Sequence, residues 1–137
     1  MCCYYYGGVN KNINKIDYNK IDNSRINFLP CNADDIIKNA ENETEEYMIY
    51  GGYGMCDCHI KIGDGDDNTR DIKDMAKQFN EFKKCRDVKE IYFLKHWWKD
   101  KVEETVTFHI DDVDIYQFLA DVEENILYKI QLFKRYY

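Results

Sequence analysis

The sequence predicts a mixed α+β fold, because from Met55 onward short strand patterns alternate with two amphipathic helices in the order β-α-β-β-α-β. The chain has 137 residues, and 45% of them are hydrophobic, which suits one compact domain with its own core. This order is that of the ferredoxin-like split βαβ unit, an antiparallel sheet with strand order 4-1-3-2 and both helices on one face. We therefore expect a ferredoxin-like α+β domain over residues 44–137 and an N-terminal extension over residues 1–43 that packs on it.

The extension is expected to be irregular, with the order β-loop-β-α. A short direct repeat in residues 10–24 has neither helical nor strand period and predicts a loop. The first strand pattern ends at Gly7-Gly8, and Asn32 can cap a short helix. The elements are predicted over residues 2–6 and 25–29 (strands) and 33–39 (helix).

Two apolar stripes with helical spacing define the predicted core of the main domain. The first runs from Ile72 to Phe82 in a helix over residues 69–86, and the second follows a capping-box-like start at Asp114 and ends at Asn125. Strands are predicted over residues 47–50, 55–62, 88–99, 104–111 and 126–136. The expected core residues are Ile72, Phe79, Phe82, Phe108, Phe118, Leu119 and Ile130.

Charge and composition narrow the functional classes. A formal net charge of -7 disfavours general nucleic-acid binding, which depends on Lys and Arg contacts to phosphates. No apolar run is long enough for a membrane span, and the N-terminus lacks the features of an export signal, so we expect a cytoplasmic protein. The abundance of Lys, Ile, Asn and Tyr indicates an AT-rich genome such as that of a phage, virus or other mobile element.

Strand alternation predicts a polar cluster on the sheet face opposite the helices. Asp57 and His59 share that face in one strand, and His109 and Asp111 share it in the strand expected beside it. Imidazole and carboxylate groups can hold a divalent metal such as zinc or supply a general base. The alternative is a structural face whose histidines hydrogen-bond their neighbours, and on that reading no cofactor is expected and an enzyme is disfavoured but left open.

The strand over residues 88–99 carries large apolar groups on both faces, whereas a strand with one solvated face would alternate apolar and polar residues. We expect a cover over its outer face, supplied by the first 43 residues, by a second copy in a homodimer or by a foreign partner. The residues predicted on that face are Tyr92, Leu94, His96 and Trp98.

An acidic turn precedes the first helix of the main domain. Asp64, Asp66 and Asp67 lie in it, but Thr69 and Met75 stand where a calcium loop needs its glycine and its glutamate. The turn is expected either to cap the following helix or to meet a basic partner surface.

These patterns favour a small acidic protein-binding module, of the kind that inhibits or antagonises a partner by occluding its surface. Its partner is expected to be another protein with a basic surface, and the acidic turn and the outer face of residues 88–99 are its candidate contacts. The alternative function is a metal-binding protein or metal-dependent enzyme that uses the His/Asp cluster.

Overall fold

The structure, a computed structural model, describes residues 3–10, 27–30, 44–50, 60–84, 88–97 and 101–133. The strands are β1 (Cys3–Asn10), β2 (Asn27–Pro30), β3 (Thr44–Tyr50), β4 (Glu90–Trp97), β5 (Glu104–His109) and β6 (Ile126–Gln131). The helices are α1 (Arg70–Lys84) and α2 (Ile115–Asp121), with a short 3-10 turn at Ile110–Asp112. Among these residues no helix is long and apolar enough to cross a membrane.

The strands form one sheet with the order β2-β3-β1-β4-β6-β5. All neighbouring pairs are antiparallel except β5 and β6, which run parallel because α2 carries the chain back between them. The mixed α+β class is confirmed. The ferredoxin-like strand order is not, since β6 lies between β4 and β5 where that order makes these two strands neighbours.

The place beside β4 is occupied by β1, a strand from the predicted extension. β1 pairs with β4 on one side and with β3 on the other, and it continues through Gly7 and Gly8 instead of ending there. The first strand predicted for the main domain covers residues 55–62. Residues 60–62 do not form a strand, and residues 55–59 lie outside the described residues. The predicted helix over residues 33–39 also lies outside them, and the division of the chain after residue 43 stays a prediction.

Both helices pack on one face of the sheet, as expected. The ring of Phe93 in β4 meets Phe79 of α1 at a centroid distance of 5.9 Å and Phe118 of α2 at 6.5 Å. Of the predicted core residues, five are buried, whereas Phe108 and Phe118 are partly buried and pack against the core. The five are Ile72, Phe79, Phe82, Leu119 and Ile130.

The opposite face of the sheet carries a smaller apolar cluster. Tyr92, Leu94 and Leu127 are buried there, with the partly buried Tyr6 and Val102 against them. The two clusters show that β4 is covered on both sides, as its sequence pattern predicts, and of the three expected covers the chain itself supplies the one over Tyr92 and Leu94.

Candidate functional site

The site that we single out is an exposed acidic loop, residues 63–68, and the cleft beside it. The loop leads into α1, whose first turn is capped by Thr69, because the Thr69 hydroxyl accepts a hydrogen bond from the backbone N–H of Ile72 at 3.2 Å. The same hydroxyl donates to the carbonyl of Lys61 at 2.7 Å and so closes the base of the loop. The cap is therefore a threonine and not one of the acidic residues that the sequence suggested.

Two glycines join the acidic loop to the end of α2. The backbone N–H of Gly63 donates to the carbonyl of Leu119 at 2.8 Å, and that of Gly65 donates to the carbonyl of Ala120 at 2.9 Å. These carbonyls lie in the last turn of α2, where a helix leaves its acceptors without intrahelical partners. The loop thereby satisfies the end of one helix while it leads into the start of another.

The three acidic side chains of the loop are exposed. Two of them also order the backbone locally, since the Asp66 N–H donates to Asp64 Oδ1 at 3.4 Å and the Asn68 N–H donates to Asp66 Oδ1 at 2.9 Å. Side chains that bond their own backbone hold the turn in one shape. The result is an ordered, exposed acidic turn that contains Asp64, Asp66 and Asp67.

Beside the loop lies an open cleft with a volume of about 140 Å³. Its floor consists of two cross-strand pairs, because Cys3 lies opposite Trp97 and Tyr5 opposite Lys95 in the β1–β4 register. Its other wall is the segment that enters the acidic loop, with Ile60, Lys61, Ile62 and Asp64.

Hydrogen bonds to the entering segment hold the floor of the cleft. The hydroxyl of Tyr5 donates to the carbonyl of Ile62 at 3.0 Å, and Lys95 Nζ donates to the same carbonyl at 3.0 Å. Lys95 Nζ also lies 5.8 Å from the centre of the Tyr5 ring, within the range of a cation-π contact. The cleft thus contains an ordered, partly buried ammonium group in a protein of negative net charge.

Sequence reasoning missed this cleft, although one signal for it is present in β4. Lys95 follows Ile91 and Phe93 at the alternate positions that face the core, where a lysine is unusual. A charged residue at a core-facing strand position indicates a buried polar partner or an opening, and here both occur.

Three of the partner contacts predicted on β4 are buried, unlike the exposed carboxylates of the acidic loop. Tyr92 and Leu94 are 1% and 0% exposed, and His96 is 7% exposed with its ring 6.2 Å from that of Tyr6. Their outer-face parity is correct, but they do not form an open surface. Trp98 lies outside the described residues.

Of the four predicted metal ligands, the structure describes His109 and Asp111, whose Nδ1 and Oδ2 atoms lie 3.6 Å apart. His109 is 2% exposed, and both of its ring nitrogens are engaged: the Asp111 N–H donates to Nδ1 at 3.1 Å, and Nε2 lies 2.6 Å from the carbonyl of Phe133. Because Nδ1 accepts, Nε2 carries the proton and donates to Phe133. His109 therefore joins the end of β5 to the segment after β6.

Strand register also separates the histidines. In the sheet register, His109 of β5 lies opposite Gln131 of β6, and Gln131 lies opposite Glu90 of β4. His96 is six residues farther along β4 than Glu90, which is about 20 Å at the usual rise per residue. These two imidazoles cannot share one ion. No group of three or more His, Cys, Asp or Glu residues suited to a metal occurs among the described residues. His59 and Asp57 lie outside them.

Comparison of the chain with protein-family models, with curated proteins and with solved structures finds no match.

Proposed function

We propose that this chain is a small acidic protein-binding module that inhibits or antagonises a partner protein by occluding a basic surface. The observation that carries the proposal is the acidic loop, in which Asp64, Asp66 and Asp67 are exposed on a backbone fixed to α2. A binding loop that is ordered before it meets its partner loses little conformational freedom on association. The proposal extends to a phage, viral or mobile-element origin only through the sequence composition.

Charge supports a basic partner surface in particular. The net charge of -7 and the three loop carboxylates would draw a positively charged groove toward the loop and repel acidic proteins. Exposed charges of this kind act mainly on the association rate and on its dependence on salt. The contact that we propose therefore has a kinetic signature that can be measured.

The outer face of β4 has a supporting role in this proposal. Tyr92 and Leu94 are buried by the chain itself, so they stabilise the sheet behind the loop instead of meeting the partner. Trp98 remains a proposed contact.

The experiment compares three forms of the full chain as bait in the lysate of its natural source, followed by association kinetics with any captured protein. They are the wild type, Asp66→Asn with Asp67→Asn, and the matched control Glu81→Gln with Asp111→Asn. The control removes the same charge from exposed ion pairs with Lys84 and Lys83, which contribute little to stability.

We expect one protein to be retained by the wild type and the control, with an association rate about tenfold lower for the loop variant. The rate for the wild type should fall as salt is added, and the rate for the loop variant should fall less. A captured protein that binds all three forms with equal rates would contradict the proposal.

A further inference from the structure

In the cleft, the backbone acceptor at Ile62 is more fully hydrogen-bonded than the lysine donor at Lys95. The carbonyl of Ile62 accepts from both Tyr5 and Lys95 at 3.0 Å, and the single hydrogen of the Tyr5 hydroxyl leaves only a longer contact of 3.4 Å to the carbonyl of Ile60. The backbone N–H of Lys61 is directed away from the cleft to Asp71 Oδ2 at 2.9 Å. The Ile62 carbonyl is thus already in use as an acceptor, and Asp64 is the one carboxylate among the residues that line the cleft.

The ammonium group of Lys95, in contrast, still has hydrogen-bond donors to offer a ligand. An ammonium group has three N–H donors, and the structure gives Lys95 Nζ one hydrogen bond among the described residues. The exposed Lys61 is a second cationic residue among those that line the cleft. A ligand that complements the cleft must therefore bring acceptors and negative charge.

The Lys95 side chain is held in position by the acidic loop on one side and by β1 on the other. A methyl group at Gly63 would lie 3.3 Å from Lys95 Nζ and 3.4 Å from its Cδ, so the stem of the lysine passes directly beneath this glycine. The register of Tyr5 against Lys95 fixes the same side chain from the strand side. An ammonium group held from two sides is preorganised for a ligand.

We propose that this cleft binds a carboxylate group through Lys95. The residues that line the cleft include two lysines and one aspartate, and Asp64 is exposed, with its Oδ1 accepting from the Asp66 N–H. A volume of about 140 Å³ is well below that of sites for drug-sized ligands and suits a group the size of acetate or of an acidic side chain.

A carboxylate fits this cleft better than a phosphate does. The surrounding net charge of -7 opposes a dianion more strongly than a monoanion. The methyl or methylene group next to a carboxylate also has an apolar surface to contact, because Cys3 and Trp97 lie in the floor of the cleft. The proposal is independent of the acidic loop's role in protein binding.

The test is a titration of the isotope-labelled full chain, followed by NMR chemical shifts. Sodium acetate is the probe, and acetamide and sodium chloride at equal concentration are the neutral and ionic controls. We expect saturable shifts of the Trp97 indole N–H and of the backbone amides of residues 60–64 with acetate alone, at millimolar concentrations. Equal shifts with acetamide or chloride, or no shifts at these positions, would overturn the proposal.

Three variants locate the interaction. Lys95→Met should reduce the acetate affinity at least about tenfold, the usual weight of a charged hydrogen bond, and Lys95→Arg should retain most of it. Lys77→Met removes the same charge from the exposed face of α1 and should leave the affinity unchanged. If Lys95→Met does not fold, Lys95→Arg and Lys77→Met serve as the test. Both variants keep a positive charge at position 95, so the shifts that acetate causes and acetamide does not must persist in both.

Two further probes distinguish a free carboxylate from one carried by a peptide. N-acetyl-glutamate N-methylamide should shift the same amides, whereas its glutamine counterpart should not. Tighter binding of the glutamate peptide than of acetate identifies an acidic side chain as the natural ligand, and the reverse order identifies a small free acid. Asp66→Asn with Asp67→Asn should keep acetate binding, so failure of the protein-binding proposal would leave this one standing.

Discussion

Gly63 and Gly65 lie two residues apart in the acidic loop with similar backbone angles but different surroundings. Their φ values are +78° and +89°, which side chains of other residues rarely adopt. A methyl group at Gly63 would lie 2.6 Å from the carbonyl oxygen of Val122, whereas one at Gly65 would meet nothing within 4 Å. The two positions therefore separate backbone strain from steric overlap.

We predict that Gly65→Ala lowers the free energy of unfolding by about 1 to 2 kcal/mol, the cost of the left-handed backbone alone. Gly63→Ala should cost more, because the new methyl group would overlap the backbone carbonyl oxygen of Val122, which must then shift. Urea denaturation of the two variants checks the order. Equal losses would show that the loop can move away from α2 at little cost.

Tyr128 supplies a prediction about alkaline pH. Burial raises the pKa of its phenol above the ordinary value of 10.0; the hydrogen bond from the Glu123 N–H opposes this rise, and the negative charge of Glu123 adds to it. The neutral phenol is therefore favoured in the folded state. Its contribution to stability is complete below pH 10.0 and is lost as the pH rises through the higher pKa of the folded protein.

Tyr128→Phe removes this ionisation. We expect wild type to lose more unfolding free energy than the variant as the pH is raised above 10.0, although the other eleven of the 12 tyrosines titrate in both proteins. At neutral pH the variant should be about 1 kcal/mol less stable, because the Glu123 N–H loses the hydroxyl that accepts its hydrogen bond. Parallel pH profiles of the two proteins would contradict the burial of the phenol.

At the scale of the elements, the periodic segments could be predicted and their exact contacts could not. The apolar stripe of α1 and the cap of α2 are present as expected, with Asp114 accepting from the backbone N–H groups of Tyr116 and Gln117. Asn125 has the predicted left-handed conformation, although α2 already ends at Asp121. His109 hydrogen-bonds its neighbours, as the structural alternative expected, but its partner Phe133 could not be predicted, because strand parity gives a side chain's face and says nothing about the segment that covers the strand end.

Leu94 of β4 reports whether the outer face of the sheet is closed. Leu94 is fully buried on the face opposite the helices, so Leu94→Ala should leave a cavity and cost about 2 to 5 kcal/mol of unfolding free energy. Thermal and urea denaturation of the variant measure this loss. A loss below about 1 kcal/mol would mean that this face is open in solution.

Trp98→Ala distinguishes the two kinds of cover for the same face. If a partner meets Trp98, the substitution should cost on the order of 2 kcal/mol of binding and leave the thermal midpoint nearly unchanged. If the chain covers it, the substitution should destabilise the fold by roughly 3 kcal/mol. Absence of both losses would remove Trp98 from the proposed contacts.

At the scale of the whole molecule, the sequence supported the α+β class but not the arrangement of the strands. Pairing between distant strands depends on which edges are free when the sheet assembles, and no periodicity within a segment encodes it. β1 has the same strand composition whether it lies at an edge or at the centre. The cleft was missed for the same reason, because it exists only where β1 meets β4.

The central position of β1 predicts that residues 44–137 do not fold alone. Without β1, the fragment lacks the strand that pairs with both β3 and β4, and the apolar face of β4 loses Tyr5 and Val9. We expect poor dispersion of its amide NMR signals and no cooperative thermal transition, with the full chain as control. A fragment that melts cooperatively would support an independent domain after residue 43.

The pairing of β1 with β4 also bears on how the protein forms during translation. Cys3 pairs with Trp97, so the two strands are made about ninety residues apart, which at about 5 to 20 residues per second is a delay of roughly 5 to 18 s. During that time the nascent β1 can pair with β3, which is made earlier, while its other edge waits. The newly made chain must therefore protect an open, aromatic strand edge from aggregation until β4 arrives.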